Sequence, residues 1–227
     1  MTFYFWHVRF YFQHVTFYFW HVTFILSHTI FIKSIRAITN VLRQAVGRAG
    51  EIGYFNWNDS CFESDDQCFQ NTWFQPKTAR SECMTFVSDI DTWYLDFHLS
   101  LAGFVITCGD KMLTPGKNEQ TWIFPSLHNM KKENVSKTVT KMLKRCVGHV
   151  EGVFKSTTSH HIRYGATDDM SAHVDLDVVA ILQRGAWYFE SESAGFIYIA
   201  KRRNDLMCAK ALGGHDNLKD VVLAPTM

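Results

Sequence analysis

The chain has 227 residues, 47% of them hydrophobic and 20% charged. That suits one globular domain, or one domain with a short appendage, and excludes both a disordered chain and a disulfide-stapled miniature. A formal net charge of +1 leaves no global basic field, yet the charge is segregated. Glu51 to Asp96 carries nine acids against Lys77 and Arg80, a net −7, while Lys111 to Arg163 carries ten bases against Glu119, Glu133 and Glu151, a net +7. A folded chain of this pattern can present a basic face to a polyanion while staying neutral overall. The six cysteines are scattered without a C-x-x-C pair, the usage of reduced thiols in a nuclear or cytoplasmic protein.

The amino-terminal stretch is a repeat. Thr2-Phe3-Tyr4-Phe5-Trp6-His7-Val8 recurs unchanged at Thr16 to Val22, with a variant copy between them and a decayed one from Thr23. A seven-residue period suggests a coiled coil only when two positions are apolar and the rest polar. Here five of seven are apolar or aromatic, so no seam can be defined. With Arg9 its only charge, Met1 to Ile32 is long enough to cross a bilayer. Its histidines, threonines and glutamine argue against a span, and it has no basic leader or small-residue cleavage site. The segment 1–32 is therefore read as an aromatic appendage without an assigned function.

From Ile32 onward the composition becomes ordinary. Ile35, Ile38, Val41, Leu42 and Ala45 recur at helical spacing, so Lys33 to Gly47 reads as an amphipathic helix. Phe69 to Phe74 and Cys83 to Val87 read as the two strands of a β-hairpin around the turn-like, basic stretch Gln75 to Arg80. Leu95 to Thr107 is apolar enough for a buried helix, Asp110 to Glu119 is a loop, and Trp122 to Phe124 reads as a short strand. A helix runs from Asn134 to about Val147. Another follows from His160 to about Ser171, with Ser159 as its N-cap. Further helices are expected near Leu176 to Gln183 and Ser191 to Ala200. The fold class is α+β, mainly α with a small antiparallel sheet. The folded domain covers 33–215, followed by a tail at 216–227.

Four local patterns carry chemistry, each weak alone. Arg48 and Glu51 suit an ordinary i,i+3 ion pair. Lys77 suits a solvated turn lysine. His160 and Arg163 lie on one helical face, and Tyr198 sits in an apolar stretch beside Phe196 and Ile197. Their order is more informative. An arginine, a hairpin lysine, a histidine–arginine helix, a Gly185-Ala186-Trp187 step and a late tyrosine are what phosphoryl transfer to tyrosine uses. Two guanidinium forks hold the charge that spreads over a phosphodiester's non-bridging oxygens in the transition state. A phenol is both a competent nucleophile and a good leaving group. A mobile lysine protonates the departing sugar oxygen. The scheme needs neither metal nor nucleotide, so no cofactor is expected.

On these residues the chain resembles the tyrosine recombinases, the phage-integrase-like DNA breaking–rejoining enzymes, and most of all those of Crypton-type eukaryotic mobile elements. The resemblance spans roughly Ile35 to Leu212. It is densest in Val46-Gly47-Arg48-Ala49-Gly50-Glu51-Ile52, in Thr158 to Ala166 and in Arg184-Gly185-Ala186-Trp187. It implies Arg48 as the first catalytic arginine with Glu51 as its buttress, and Lys77 as the hairpin lysine. His160 and Arg163 become the histidine and second arginine, Trp187 takes a position that members fill with histidine or tryptophan, and Tyr198 is the nucleophile. Tyr164 and Tyr188 compete with Tyr198, which lies eleven positions beyond Trp187. The resemblance also implies double-stranded DNA as the partner, self-association on that DNA, and a nuclear setting. Family members clamp DNA with a helical domain where this chain carries its aromatic repeat. Two alternatives stay open: an inactive, transposon-derived relic that only binds DNA, and a small protein tethered to a membrane by residues 1–32.

Overall fold

The computed structural model describes residues 29–63, 68–75, 80–89, 91–108, 121–128, 130–147, 156–187, 204–215 and 217–218. Seven α-helices, one 3-10 helix and three strands lie within them. Helix α1 (29–45) leads into a short 3-10 helix, Ala49–Tyr54, and strands β1 (Ser60–Glu63), β2 (Cys68–Gln75) and β3 (Arg80–Phe86) follow. Then come α2 (Phe97–Cys108), α3 (Pro125–His128), α4 (Lys132–Val147), α5 (Ser159–Ser171), α6 (Val178–Arg184) and α7 (204–212). The fold is α+β and mainly helical, with one antiparallel sheet in the order β1-β2-β3.

Helix α1 begins four residues before the expected boundary at 33. The tail of the aromatic segment, from Thr29, already winds into it, with the Ser34 hydroxyl donating to the Ile30 carbonyl at 2.6 Å and the Phe31 ring lying under the Arg145 guanidinium at 4.7 Å. The rest of α1 forms because its apolar residues fall on one stripe at helical spacing. Ile35, Ile38, Val41, Leu42 and Ala45 enter the main core, which also holds Phe55, Phe69, Phe86, Phe97, Phe124 and the inner face of α4. Phe86 stacks on Phe97 with centroids 4.6 Å apart, and Phe55 and Phe69 close the cluster. A second core gathers Ala166 and Met170 of α5, Ala180 and Ile181 of α6 and Met207, Cys208, Ala211 and Leu212 of α7 around Val46. Residues 46–49 thus emerge between the two cores.

The expected hairpin is present, with Phe69 opposite Phe86 and Gln75 opposite Arg80. Strand β1 joins its outer edge; its Ser-Cys-Phe-Glu sequence has no alternation, and Phe62 faces solvent. Trp122 to Phe124 is not a strand. Trp122 makes an isolated bridge with Asn56, while Ile123 and Phe124 turn into the core ahead of α3. Proline at the first position of α3 stops any ladder, since it has no N–H to give. Helix α2 starts at Phe97 behind Asp96, whose buried carboxylate accepts the N–H groups of Leu99 and Asp89 at 2.6 and 2.9 Å. The expected helix at Ser191 to Ala200 and the loop at Asp110 to Glu119 lie outside the described residues, as do the aromatic repeat up to residue 28 and the tail 216–227 apart from residues 217–218. No helix among the described residues is long and apolar enough to cross a membrane.

Candidate phosphate-binding site

Two helix ends of the same design deliver the site. At the end of α1, the Val46 N–H donates to the Arg43 carbonyl and the Gly47 N–H to the Leu42 carbonyl. At the end of α6, Ala186 N–H bonds to Gln183 and Trp187 N–H to Leu182 in the same pattern. These paired bonds form Schellman caps, which put the residue after the helix into the left-handed region, where glycine is favoured. A third such cap, after α7, has Gly214 there with φ 72°. The other two have Val46 and Ala186, with φ 48° and 51°. Side chains in that region cost the fold about 1–2 kcal/mol apiece. The two strained turns are the ones that lead to Arg48 and Trp187.

Arg48 opens the 3-10 helix. Its backbone N–H donates to Glu51 Oε2 at 2.8 Å and its guanidinium to Oε1 at 2.9 Å. Glu51 is only 2% exposed, so this is not the solvated surface pair that an i,i+3 spacing first suggests. The glutamate stands behind the arginine and fixes its direction.

Helix α5 supplies the second arginine. Arg163, Ala166 and Met170 form its buried stripe, and His160 extends that stripe one turn toward the N-terminus, where it reaches solvent. The cap is Thr158 rather than Ser159. His161 Nδ1 accepts the Thr158 N–H at 3.1 Å and lies 3.0 Å from its hydroxyl. That commits His161 to the cap and leaves its neighbour His160 facing the cavity, beside Tyr164 with ring centroids 4.4 Å apart. The Ser159 hydroxyl pairs with Thr140 at 3.1 Å and ties α5 to α4.

Arg163 is nearly buried, donates to the Gly185 carbonyl and lies 4.2 Å from the centre of the Trp187 ring, a cation–π distance. Burial, then the like charge of Arg48, pull its guanidinium down to about 10, with Glu51 opposing. It stays cationic at neutral pH, but at a cost. Gly185 is needed because a Cβ there would lie 2.0 Å from the Trp187 ring.

These groups share one cavity of about 420 Å³, lined by Gly47, Arg48, Ala49, Ser136, Ser159, His160, Arg163, Tyr164 and Trp187. No acid is among the described residues that line it, and the Ser159 N–H at the start of α5 is already held by the Thr140 hydroxyl at 3.3 Å. Two guanidinium groups, the hydroxyls of Ser136, Ser159 and Tyr164, and an imidazole suit a tetrahedral oxyanion. Among the described residues no group of three histidine, cysteine or acidic side chains gathers as a metal site would require. Of the six catalytic residues expected from sequence, Arg48, His160, Arg163 and Trp187 come together. Lys77, in the connection 76–79 between β2 and β3, and Tyr198, between α6 and α7, lie outside the described residues. Ser136 and Ser159 were not singled out as site residues. Ser136 sits one turn into the basic helix α4, a position with no motif to mark it. Comparison with known families, with curated proteins and with solved structures finds no match to this chain.

Proposed function

We propose that the protein breaks and rejoins DNA through a 3′-phosphotyrosine intermediate, as the tyrosine recombinases do, on double-stranded DNA in the nucleus. The observation that supports this most is the meeting of Arg48, His160, Arg163 and Trp187, from three separate stretches of sequence, around one cavity with no acid among its described lining residues. In the proposed reaction the cavity holds the scissile phosphate, with Arg48 and Arg163 on its non-bridging oxygens. The Tyr198 oxygen attacks phosphorus and passes its proton to His160. The bond from phosphorus to the 5′ oxygen breaks, and Lys77 protonates that oxygen. Reversal with a different 5′ hydroxyl rejoins the strand. The duplex backbone rests on α4, where Lys137, Lys141 and Lys144 repeat along one exposed face that runs on from Ser136 at the cavity.

The experiment is incubation of the full chain with a panel of nicked duplexes, followed by denaturing gels for a protein–DNA adduct. Arg163→Ala should lower the single-turnover cleavage rate by about 3–4 kcal/mol in barrier, comparable to losing an oxyanion donor. Retention of intact DNA should fall far less, because the α4 lysines remain. Equal loss of binding and cleavage would make Arg163 a backbone contact and remove the basis of the proposal.

A further inference from the structure

Arg184 lies outside the cavity, yet it ends α6, one of the arms that form it, and is bonded to the end of α1, the other. Its side chain is 0% exposed. A guanidinium has five N–H donors, and each finds an acceptor here. Nε and Nη2 both donate to the Gln44 carbonyl, at 2.9 and 2.6 Å, and Nη2 also donates to the Thr85 carbonyl at 2.5 Å. Nη1 donates to the Asp205 carboxylate and, at 3.4 Å, to the Asp205 carbonyl. The second Asp205 oxygen accepts the Thr85 N–H at 2.7 Å. Gln44, also fully buried, exchanges two bonds with the Val87 backbone, at 2.7 and 2.9 Å.

This cluster meets both strained turns at their base. Gln44 precedes Val46-Gly47-Arg48 by two residues. Arg184 directly precedes Gly185, whose carbonyl holds Arg163, and Ala186-Trp187, whose ring covers it. The end of α1 and the end of α6 are therefore joined through one guanidinium. We infer that Arg184 is a positioning residue: bonded to the Gln44 carbonyl and to Asp205, it fixes the separation of Arg48 and Arg163 so that both grip one phosphate at once. The inference rests on reading the cavity as a phosphodiester site, and it adds a residue that never touches the substrate.

A buried pair can be replaced as a unit. Removing one partner strands a charge, whereas apolar residues of similar size in both positions are often tolerated. The test therefore uses Arg184→Met combined with Asp205→Leu, with Arg184→Lys alongside it. Lysine keeps the charge beside Asp205 but has three donors in place of five, so it stays informative should the double variant fail to fold. The probe is inorganic phosphate, titrated into full-length protein labelled with ¹⁵N-arginine, at a temperature where thermal unfolding shows each variant folded. In the wild type the guanidinium resonances of Arg48 and Arg163 should shift together with one dissociation constant. In the double variant, or in Arg184→Lys, that constant should weaken by about tenfold or more, with the two resonances no longer moving in concert.

A merely structural Arg184 would lower the melting temperature and leave phosphate affinity of the folded protein unchanged, and that result would overturn the inference. Concerted phosphate binding that depends on Arg184, without any DNA adduct from the wild type, would uphold the positioning role and count against strand transfer. No phosphate response at Arg48 and Arg163 in the wild type would overturn both.

Discussion

Arg163 carries a positive charge that its surroundings disfavour. The folded chain holds that proton less tightly, down to about 10, than the unfolded chain, whose arginine keeps its ordinary higher value. From about 10 up to that ordinary value the unfolded state therefore binds more protons, so folding stability contributed by this group rises with pH across that window. Below it the cost is present in full, and a bound anion offsets it. Phosphate should accordingly raise the melting temperature at pH 7 by mass action, and Arg163→Met should remove the increment. An undiminished increment in that variant would place the anion elsewhere. Lys77 has a chemical test of its own. A 5′-bridging sulfur leaves without a proton, so Lys77→Ala should cleave an ordinary substrate poorly and a bridging phosphorothioate nearly as fast as the wild type. Equal damage on both substrates would reduce Lys77 to a DNA contact. The chain order of the motifs and the family resemblance, rather than the i,i+3 spacing of Arg48 and Glu51 or of His160 and Arg163 alone, named these residues. That Glu51 is buried, or that His161 caps the helix and so leaves His160 to the cavity, depends on contacts that spacing does not encode.

The helix ends matter more than the helices. Val46 and Ala186 hold left-handed backbone that glycine would hold at no steric cost, while Gly214, at the third such cap, leads to no residue of the cavity. Strain kept where a site is built reflects surroundings that over-determine it. Ala186→Gly should relieve about 1–2 kcal/mol of steric cost against about 0.5–1 kcal/mol of added chain entropy. Thermal stability should then rise by no more than about 1.5 kcal/mol, while single-turnover cleavage falls because Trp187 loses its fixed course over Arg163. Unchanged cleavage would mean that the turn's strain has no part in the site. Elements with a single apolar stripe, such as α1 and α4, were legible from periodicity. Helix α7 was not, because residues 206–209, 211 and 212 are all buried. Lying between two clusters, it shows no polar face and hence no 3.6-residue rhythm. β1 escaped notice for the opposite reason, being a short edge strand with no buried face.

Across the molecule, the two cores meet just past the end of α1, at Val46 and Ala49, and the cavity lies beside that point between residues 47–49, α4, α5 and Trp187. That arrangement explains why residues from positions 47 to 187 converge with little sequence signal beyond their order. Helix α4 carries Lys137, Lys141 and Lys144 beside the cavity in a chain whose formal net charge is only +1. A basic face on a neutral protein gives salt-sensitive DNA retention without a global field. Retention alone, however, does not separate a strand-transfer enzyme from a DNA-binding relic. The covalent intermediate does. Full-length protein should be trapped on nicked duplex in excess chelator and without nucleotide, digested, and its peptides mapped by mass spectrometry. A 3′-phosphotyrosine on Tyr198, absent from Tyr198→Phe protein that still folds and retains DNA, is the expected result. An adduct on Tyr164 or Tyr188 would move the nucleophile, and the absence of any adduct would contradict strand transfer by this chain.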